Sequence, residues 1–589
     1  MKKYLPIATW LVALIVTVGA LLYLESDFLW KIQEQNLFMD TSLFFKDQMV
    51  VPGGFLSWVG TYLTQYFYYP WLGTLLLSLL WLLLLWLVKR AFQLPLQWSA
   101  LALVPVGLLL LTIVDMGYWL YMLKLQGHVF VGTLGTAAVA ALLWAYRALP
   151  DCYGLRPLLI VVTAALGYPM MGIYGLAAAL LMGIWSWRLE GVLWKKVVYS
   201  LLALACATAV PLICYRLVYY QTNLANIYYA ELPLYFITEE YHGYYLPYYL
   251  LAAFFLLMII LPLKPLKPVK SVVIQTLTLA VLVAGIVKFW YRDENFHHEV
   301  TMQRCMEQCD WQGVLDEAAK QQDEPTRAVV MMRNLALSRL GRQGDEMYLY
   351  ENGSKAYNAP FGMRLMLVVG PQIYYQYGML NYCSRLSTEN GVEFGWRVDN
   401  LKLLAKCALL CGEEQQARRY LNLLKHTTFH ADWAEQARTL PELKDVGRMM
   451  HYKNTLTSDK GNIEGFLMKK LAESTDTTDV YFQEQALLAS LWTKDVNQFW
   501  YHFDDYVRLH PNARMPRYYQ EAAYLYCMIE GRPTDGMPFD DRVKQAFSNF
   551  AKIAELYDNV DVTVAREALQ SYRQTYFYDY YLMRQLPEY

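Results

Sequence analysis

The sequence predicts an all-α protein of two parts, a polytopic helical membrane domain over residues 1–290 and an exported helical domain over residues 291–589. Three observations carry this reading. The 589 residues are 56% hydrophobic and 17% charged, but residues 1–290 hold 17 Lys+Arg and 11 Asp+Glu against 34 and 41 in the remainder, so about 10% charged becomes about 25%. The first part also contains charge-free apolar stretches, each near the roughly 20 residues a helix needs to cross about 30 Å of hydrocarbon. The second part repeats apolar residues at helical spacing, with scarcely any period-two alternation. Net charge runs from +6 to −7 across the boundary and sums to −1, which argues against a basic nucleic-acid binder.

In order, the expected spans are 4–24, 71–88, 98–121, 129–146, 197–217, 244–263 and 271–290. Lys2 and Lys3 precede the first as in a signal peptide, but no small-x-small cleavage site follows, so it reads as an uncleaved anchor. The uncharged run 157–187 fits either one overlong helix or two short ones broken at Gly167-Tyr168-Pro169 and Gly172. Charge placement selects the hairpin. With it, Lys2, Lys3, Lys89, Arg90, Arg147, Arg156, Arg188, Lys195, Lys196, Lys264, Lys267 and Lys270 share one side, against Lys31, Lys46, Lys124, Arg216 and Lys288 on the other. That asymmetry follows the positive-inside rule, gives nine crossings, and exports the C-terminal part.

Two exported loops result, 25–70 and 218–243. The first carries Asp40 and Asp47, seven residues apart, which share a face beside the membrane if the stretch between them is helical and diverge if it is extended. Phe55, Trp58, Val59, Tyr62, Tyr66 and Phe67 then form an apolar stripe opposite Gly60, Thr61, Thr64 and Gln65, so this segment is expected to lie in the interface before Pro70 opens the next span. The second loop is tyrosine-rich, with 11 Tyr between 215 and 249, Tyr219 and Tyr220 among them, and Glu231, Glu239, Glu240 and His242 interspersed. Such aromatic faces and hydroxyls suit a sugar or a lipid headgroup, and equally suit an interfacial belt with no ligand. Asp115 is the carboxylate deepest in an expected span and must face protein, water or a partner. Arg216, near the outer end of its span, is its candidate partner or a site for a lipid phosphate; both charges fit a simpler role, reaching to the interface.

Several chemistries lack their signatures. There is no phosphate-binding GxxxxGK[ST] loop, no dinucleotide glycine fingerprint and no GxSxG elbow. His298-Glu299 opens like a zinc-protease helix, but Met302 stands where the second His is required. His426 and His430 sit four apart without a third ligand, and read as surface polar residues. Nine cysteines do not make a disulfide framework in a chain of this length; Cys305/Cys309 and Cys407/Cys411 read as small packing residues. No metal and no cofactor is expected.

In the exported part, Leu404, Ala405, Ala408, Gly412, Ala417, Leu421 and Leu424 resemble a tetratricopeptide (TPR) unit, with small residues where two helices approach and Gly at the turn. Leu487, Ser490, Phe499, Phe503, Tyr506 and Pro511 keep the spacing but put Phe499 at the small position, while Trp311, Val314, Ala318 and Pro325 resemble the later half of another unit. The resemblance implies a TPR-like solenoid with a concave surface for a protein partner; an irregular bundle is the alternative.

The cytoplasmic N-terminus, the long first exported loop with Asp40 and Asp47, the interfacial helix, the broken hairpin and the exported tail together resemble, in topology, the GT-C class of multi-spanning glycosyltransferases. That resemblance implies a polyprenyl-phosphate sugar donor, with Asp40 and then Asp47 as the base that activates an acceptor hydroxyl. Arg216 or Lys124 would balance the leaving phosphate, and Tyr219, Tyr220, Glu239, His242 and Asp115 are candidate substrate-binding residues. Over its whole length the chain also resembles uncharacterised multi-pass proteins of Gram-negative envelopes with a TPR-like tail, which implies an inner-membrane location and a periplasmic domain, and no activity. The competing expectations are a non-catalytic membrane-anchored scaffold and, third, a transporter using Asp115 and the broken hairpin.

Overall fold

The computed structural model describes residues 5–150, 154–189, 192–233, 245–261, 263–265, 267–355, 368–451, 462–476, 478–535, 537, 539–557 and 560–586. Among them every regular element is helical. The chain divides into two compact units. The first comprises residues 1–292 with two distant insertions, 391–401 and 421–435; the second comprises 293–390, 402–420 and 436–589.

The first unit opens with α1 (Leu5–Leu24), which breaks at Glu25 by 76° into α2 (Ser26–Glu34). Buried Glu25 sits at that corner, where its Oε1 accepts from the Trp290 indole at 2.6 Å. The short α3 (Ser42–Gln48) is capped by the Thr41 hydroxyl, which accepts from Phe44 N at 3.1 Å. Next comes α4 (Gly54–Thr64), whose buried face is the small and polar one: Ser57, Gly60, Thr61 and Thr64. Gly60 lies so close to Gly127 and Val131 that an added Cβ would meet Val131 Cγ2 at 2.6 Å. The Thr61 and Thr64 hydroxyls donate to carbonyls of their own helix, Trp58 and Gly60, so they enter the packing satisfied. The stripe of Phe55, Trp58 and Tyr62 stacks along the other face, where Phe38 and Phe45 pack on it and Phe55 and Tyr62 remain exposed.

Proline at the first turn starts α5 (Pro70–Phe92); α6 (Leu103–Val114) and α7 (His128–Ala148) follow. Trp81 on α5 donates to Thr133 on α7 at 3.2 Å, and Arg147 donates to the terminal carbonyls Arg90 and Ala91 of α5, completing the end of that helix. The expected break appears between α8 (Leu155–Met171) and α9 (Ile173–Trp185), at Gly172 with φ 55°. Gly167 and Gly175 then face each other, an added Cβ on Gly175 falling 2.3 Å from the Gly167 carbonyl carbon. A continuous helix would hold them about 12 Å apart, so the chain reverses there. The unit closes with α10 (Leu193–Leu217), α11 (Leu246–Ile260) and α12 (Pro268–Phe289).

Five of these segments are long and apolar enough to cross a membrane: Pro70–Phe92, Leu96–Val114, His128–Ala148, Leu193–Leu217 and Pro268–Phe289. Counting the bent pair Ala8–Leu24 and Ser26–Glu34 as one span gives six. The expected nine therefore overcounts among the described residues. The 17 residues of α8, 13 of α9 and 15 of α11 rise only about 20–26 Å, short of the roughly 30 Å core.

The second unit is built of short helices joined by tight turns. Glu294–Glu307 packs on Trp311–Ala318 and both on Arg327–Arg339; Ile463–Ala472, Val480–Thr493 and Val496–Leu509 pack in sequence. Gly412, at φ 73°, turns the chain between Val398–Leu410 and Glu414–Lys425, and within this unit Leu404, Ala405, Ala408 and Ala417 are buried; Leu421 and Leu424, buried as well, fall in the first unit. Buried ion pairs brace the unit: Arg327 forks onto Glu464, with Nε donating at 2.7 Å, and Lys355 Nζ meets Asp579 at 2.8 Å.

Candidate functional site

Three segments of the first unit meet at one carboxyl group. Gly53, with φ 87°, turns the loop before it into α4 and donates its N–H to the Pro169 carbonyl at 2.9 Å. Gly172 turns α8 into α9, and the next amide, Ile173 N, donates to Ala230 O at 3.0 Å. That bond pins the tyrosine-rich loop, and the following residue, Glu231, is held at φ 72°. A non-glycine residue in the left-handed region costs of order 1 kcal/mol or more. Its side chain fills the space left by the two glycines. A Cβ on Gly53 would meet Glu231 Cγ at 2.1 Å, and one on Gly172 would meet it at 2.8 Å.

Glu231 is 6% exposed, and the Ser57 hydroxyl of α4 stands 2.8 Å from both its carboxyl oxygens. No ion pair reaches it among the described residues. Burial pushes its pKa up to about 8, opposed by the Ser57 hydrogen bond. Nearby, the Tyr174 and Tyr248 hydroxyls converge over Gly132, within 3.8 and 3.6 Å of a Cβ placed there; that of Tyr174 is buried without a partner among the described residues. Backbone strain and an unpaired buried acid thus coincide at one residue, in a position to exchange a proton near neutral pH with a neighbouring hydroxyl.

The residues singled out from the sequence lie elsewhere. Asp40 precedes the Thr41 cap and Asp47 lies within α3, so the helix that would align them does not span both. Each is exposed, and the Asp40 amide donates to His426 O at 3.0 Å. Arg216 is exposed in the last turn of α10, and Asp115 caps the end of α6. No hydrogen bond or ion pair joins any two of these four among the described residues. Tyr219 is buried against Tyr168 and Leu176 of the hairpin, whereas Tyr220 is 85% exposed. Glu239 and His242 fall outside the described residues. Among those described, no cluster of three or more His, Cys, Asp or Glu side chains is placed to hold a metal: His298 pairs with Glu317, His426 bonds Asn422 O of its own helix, and His430 meets Gln33.

Glu231 was visible only as one of several loop carboxylates. Its signal in the sequence is the absence of any Lys or Arg from 217 to 263, which leaves a buried acid there with no local counter-charge.

A second buried polar cluster of the first unit has the opposite character. Lys31 of α2 meets Asp399 at 3.3 Å, and Gln35 bridges Asp399 and Arg397. Arg397 also donates to Leu123 O at 2.9 Å. His430 Nε2 lies 3.1 Å from Gln33, which donates to Glu34 at 2.7 Å. Burial lowers the Arg397 pKa to about 10, opposed by Asp399. Here every charge has been given a partner.

Fold and site together define an all-α membrane protein with a buried acid between its loops. The chain belongs to DUF6057, a family of unknown function whose model matches residues 2–584. No curated protein and no solved structure matches it.

Proposed function

We propose that the first unit is a membrane transferase of the GT-C type, acting on a polyprenyl-phosphate-linked sugar, with Glu231 as its acid/base. The observation that carries this reading is the Glu231–Ser57 pair, a carboxyl that burial pushes up to about 8, touching a hydroxyl where the segments around Gly53, Gly172 and Glu231 converge. An acceptor hydroxyl taking the place of Ser57 Oγ would pass its proton to Glu231 as its oxygen attacks the sugar and the lipid phosphate departs. Arg216, exposed at the end of α10, is the cation available to the departing phosphate. The finer setting is a bacterial inner membrane, with the second unit as an exported, TPR-like domain that receives a protein partner.

The test measures sugar transfer from polyprenyl-phosphate donors in membranes carrying the full chain. Glu231→Gln should lower transfer by about 100-fold or more, while Asp40→Asn and Asp47→Asn stay within about twofold. Because the base must be ionised, the wild-type rate should rise with pH and level off near 8. Undiminished transfer in Glu231→Gln, loss confined to Asp40→Asn, or no transfer by the wild type would each overturn the reading.

A further inference from the structure

Two successive helices of the chain each bring a cysteine to the same place in the second unit. Cys383 lies near the start of Leu380–Phe394 and Cys407 near the end of Val398–Leu410, with only residues 395–397 between the two helices. Both cysteines belong to the second unit, and both are buried, at 0% and 1% exposure. The Cys407 thiol lies within hydrogen-bonding reach of the Cys383 thiol and of Ser384. Both stand as thiols in the structure, with Cys383 Sγ 4.0 Å from Ser387 Oγ. A disulfide requires Cα atoms within about 7 Å of each other, and Cys383, Ser384 and Ser387 carry only small side chains into such an approach.

The surroundings decide when a bond between the two can be made. The hydrogen bond with Cys383, and after it burial, pushes the Cys407 thiol well above its ordinary range, whereas exchange with a disulfide requires a thiolate and access to it. The packed helices deny both. Exchange therefore belongs to the folding chain, before the helices close over the pair. One cysteine thiolate attacks the disulfide of an oxidant, and the second thiolate then displaces the oxidant from the mixed disulfide. The two thiol protons go to water, and the oxidant leaves as two thiols holding the two electrons. Once the helices have packed, the same burial shields the bond from reduction. Closing a loop of about 25 residues also removes freedom from the unfolded chain, which stabilises the folded unit.

We propose that Cys383 and Cys407 are joined by a disulfide in the folded protein, made by exchange with a disulfide-bearing oxidant on the exported side. The bond rests on the exported setting proposed above for the second unit, and not on Glu231 or on sugar transfer. Cells producing the full chain are quenched in acid, denatured and alkylated with N-ethylmaleimide, and the cysteines are mapped by peptide mass spectrometry with and without reduction. Cys383 and Cys407 should escape alkylation, appear as one linked peptide pair, and both label after reduction. Cys383→Ser should leave Cys407 labelled without reduction and lower the thermal midpoint of the chain in nanodiscs by about 5 °C, while sugar transfer stays within about twofold. A phosphatase reporter fused after Tyr589, active only when exported, reads the setting separately. Free Cys383 and Cys407 in a chain whose reporter is active overturn the disulfide alone; free thiols with a silent reporter overturn it together with the exported setting. Linkage of either residue to another cysteine, such as Cys411, overturns it as well.

Discussion

The Glu231 centre and the Arg397–Asp399–Lys31 cluster are both buried polar groups of the same unit, and they handle burial in opposite ways. Around Arg397, Lys31 pairs with Asp399, and the Arg397 guanidinium donates to Gln35 and to backbone carbonyls. Desolvation there is offset by pairing, which fixes two insertions distant in sequence onto the helices of their own unit. Around Glu231 a serine hydroxyl is the hydrogen-bond partner and the carboxyl resolves its burial by holding a proton. A buried charge that is paired holds structure; a buried acid left unpaired stores reactivity.

The largest effect that tests this contrast is a pH dependence. The Glu231 carboxyl moves from an ordinary 4.5 up to about 8 on folding, so its contribution to stability is complete below about 4.5 and is lost as pH rises through about 8, an amount on the order of 5 kcal/mol. Thermal unfolding in nanodiscs should show wild-type stability falling between these limits, while Glu231→Gln stays flat and becomes the more stable chain at pH 9. Parallel curves would mean that Glu231 is not the unpaired acid. Next in size, Arg397→Ala should destabilise by about 3–5 kcal/mol, because Gln35 and the Tyr121 and Leu123 carbonyls lose a buried donor. A loss below about 1 kcal/mol would place this cluster with weak surface pairs. The smallest is Gly53→Ala, expected to cost about 1–3 kcal/mol from its φ of 87° and its collision with Glu231. Adding Glu231→Ala should recover the part due to the collision; if the double variant is no better than Gly53→Ala, the glycine serves only its turn.

The same contrast explains what was readable beforehand. Pairing across long sequence distances, such as Lys31 with Asp399 or Gln126 with the Trp396 carbonyl, leaves no trace in a local pattern. The helix over Gly54–Thr64 and the break at Gly172 were legible, because aromatic periodicity and glycine act within one turn. Among the described residues the number of spans is overcounted because apolar length alone does not say where a helix stops. Segment 244–263 is expected to cross, yet its α-helix covers only Leu246–Ile260, and the two arms of the hairpin are shorter than a crossing.

By itself, then, the sequence determined an all-α chain with an apolar first part, its helical segments and the loops between them, since hydropathy, periodicity and turn residues act over neighbouring positions. Only the tertiary structure decided that Glu231 is buried, that Ser57 and Glu231 touch across 174 positions, and that 391–401 and 421–435 join the first unit. Those outcomes depend on which surfaces lose water together, and desolvation is a property of the packed fold rather than of any stretch of chain.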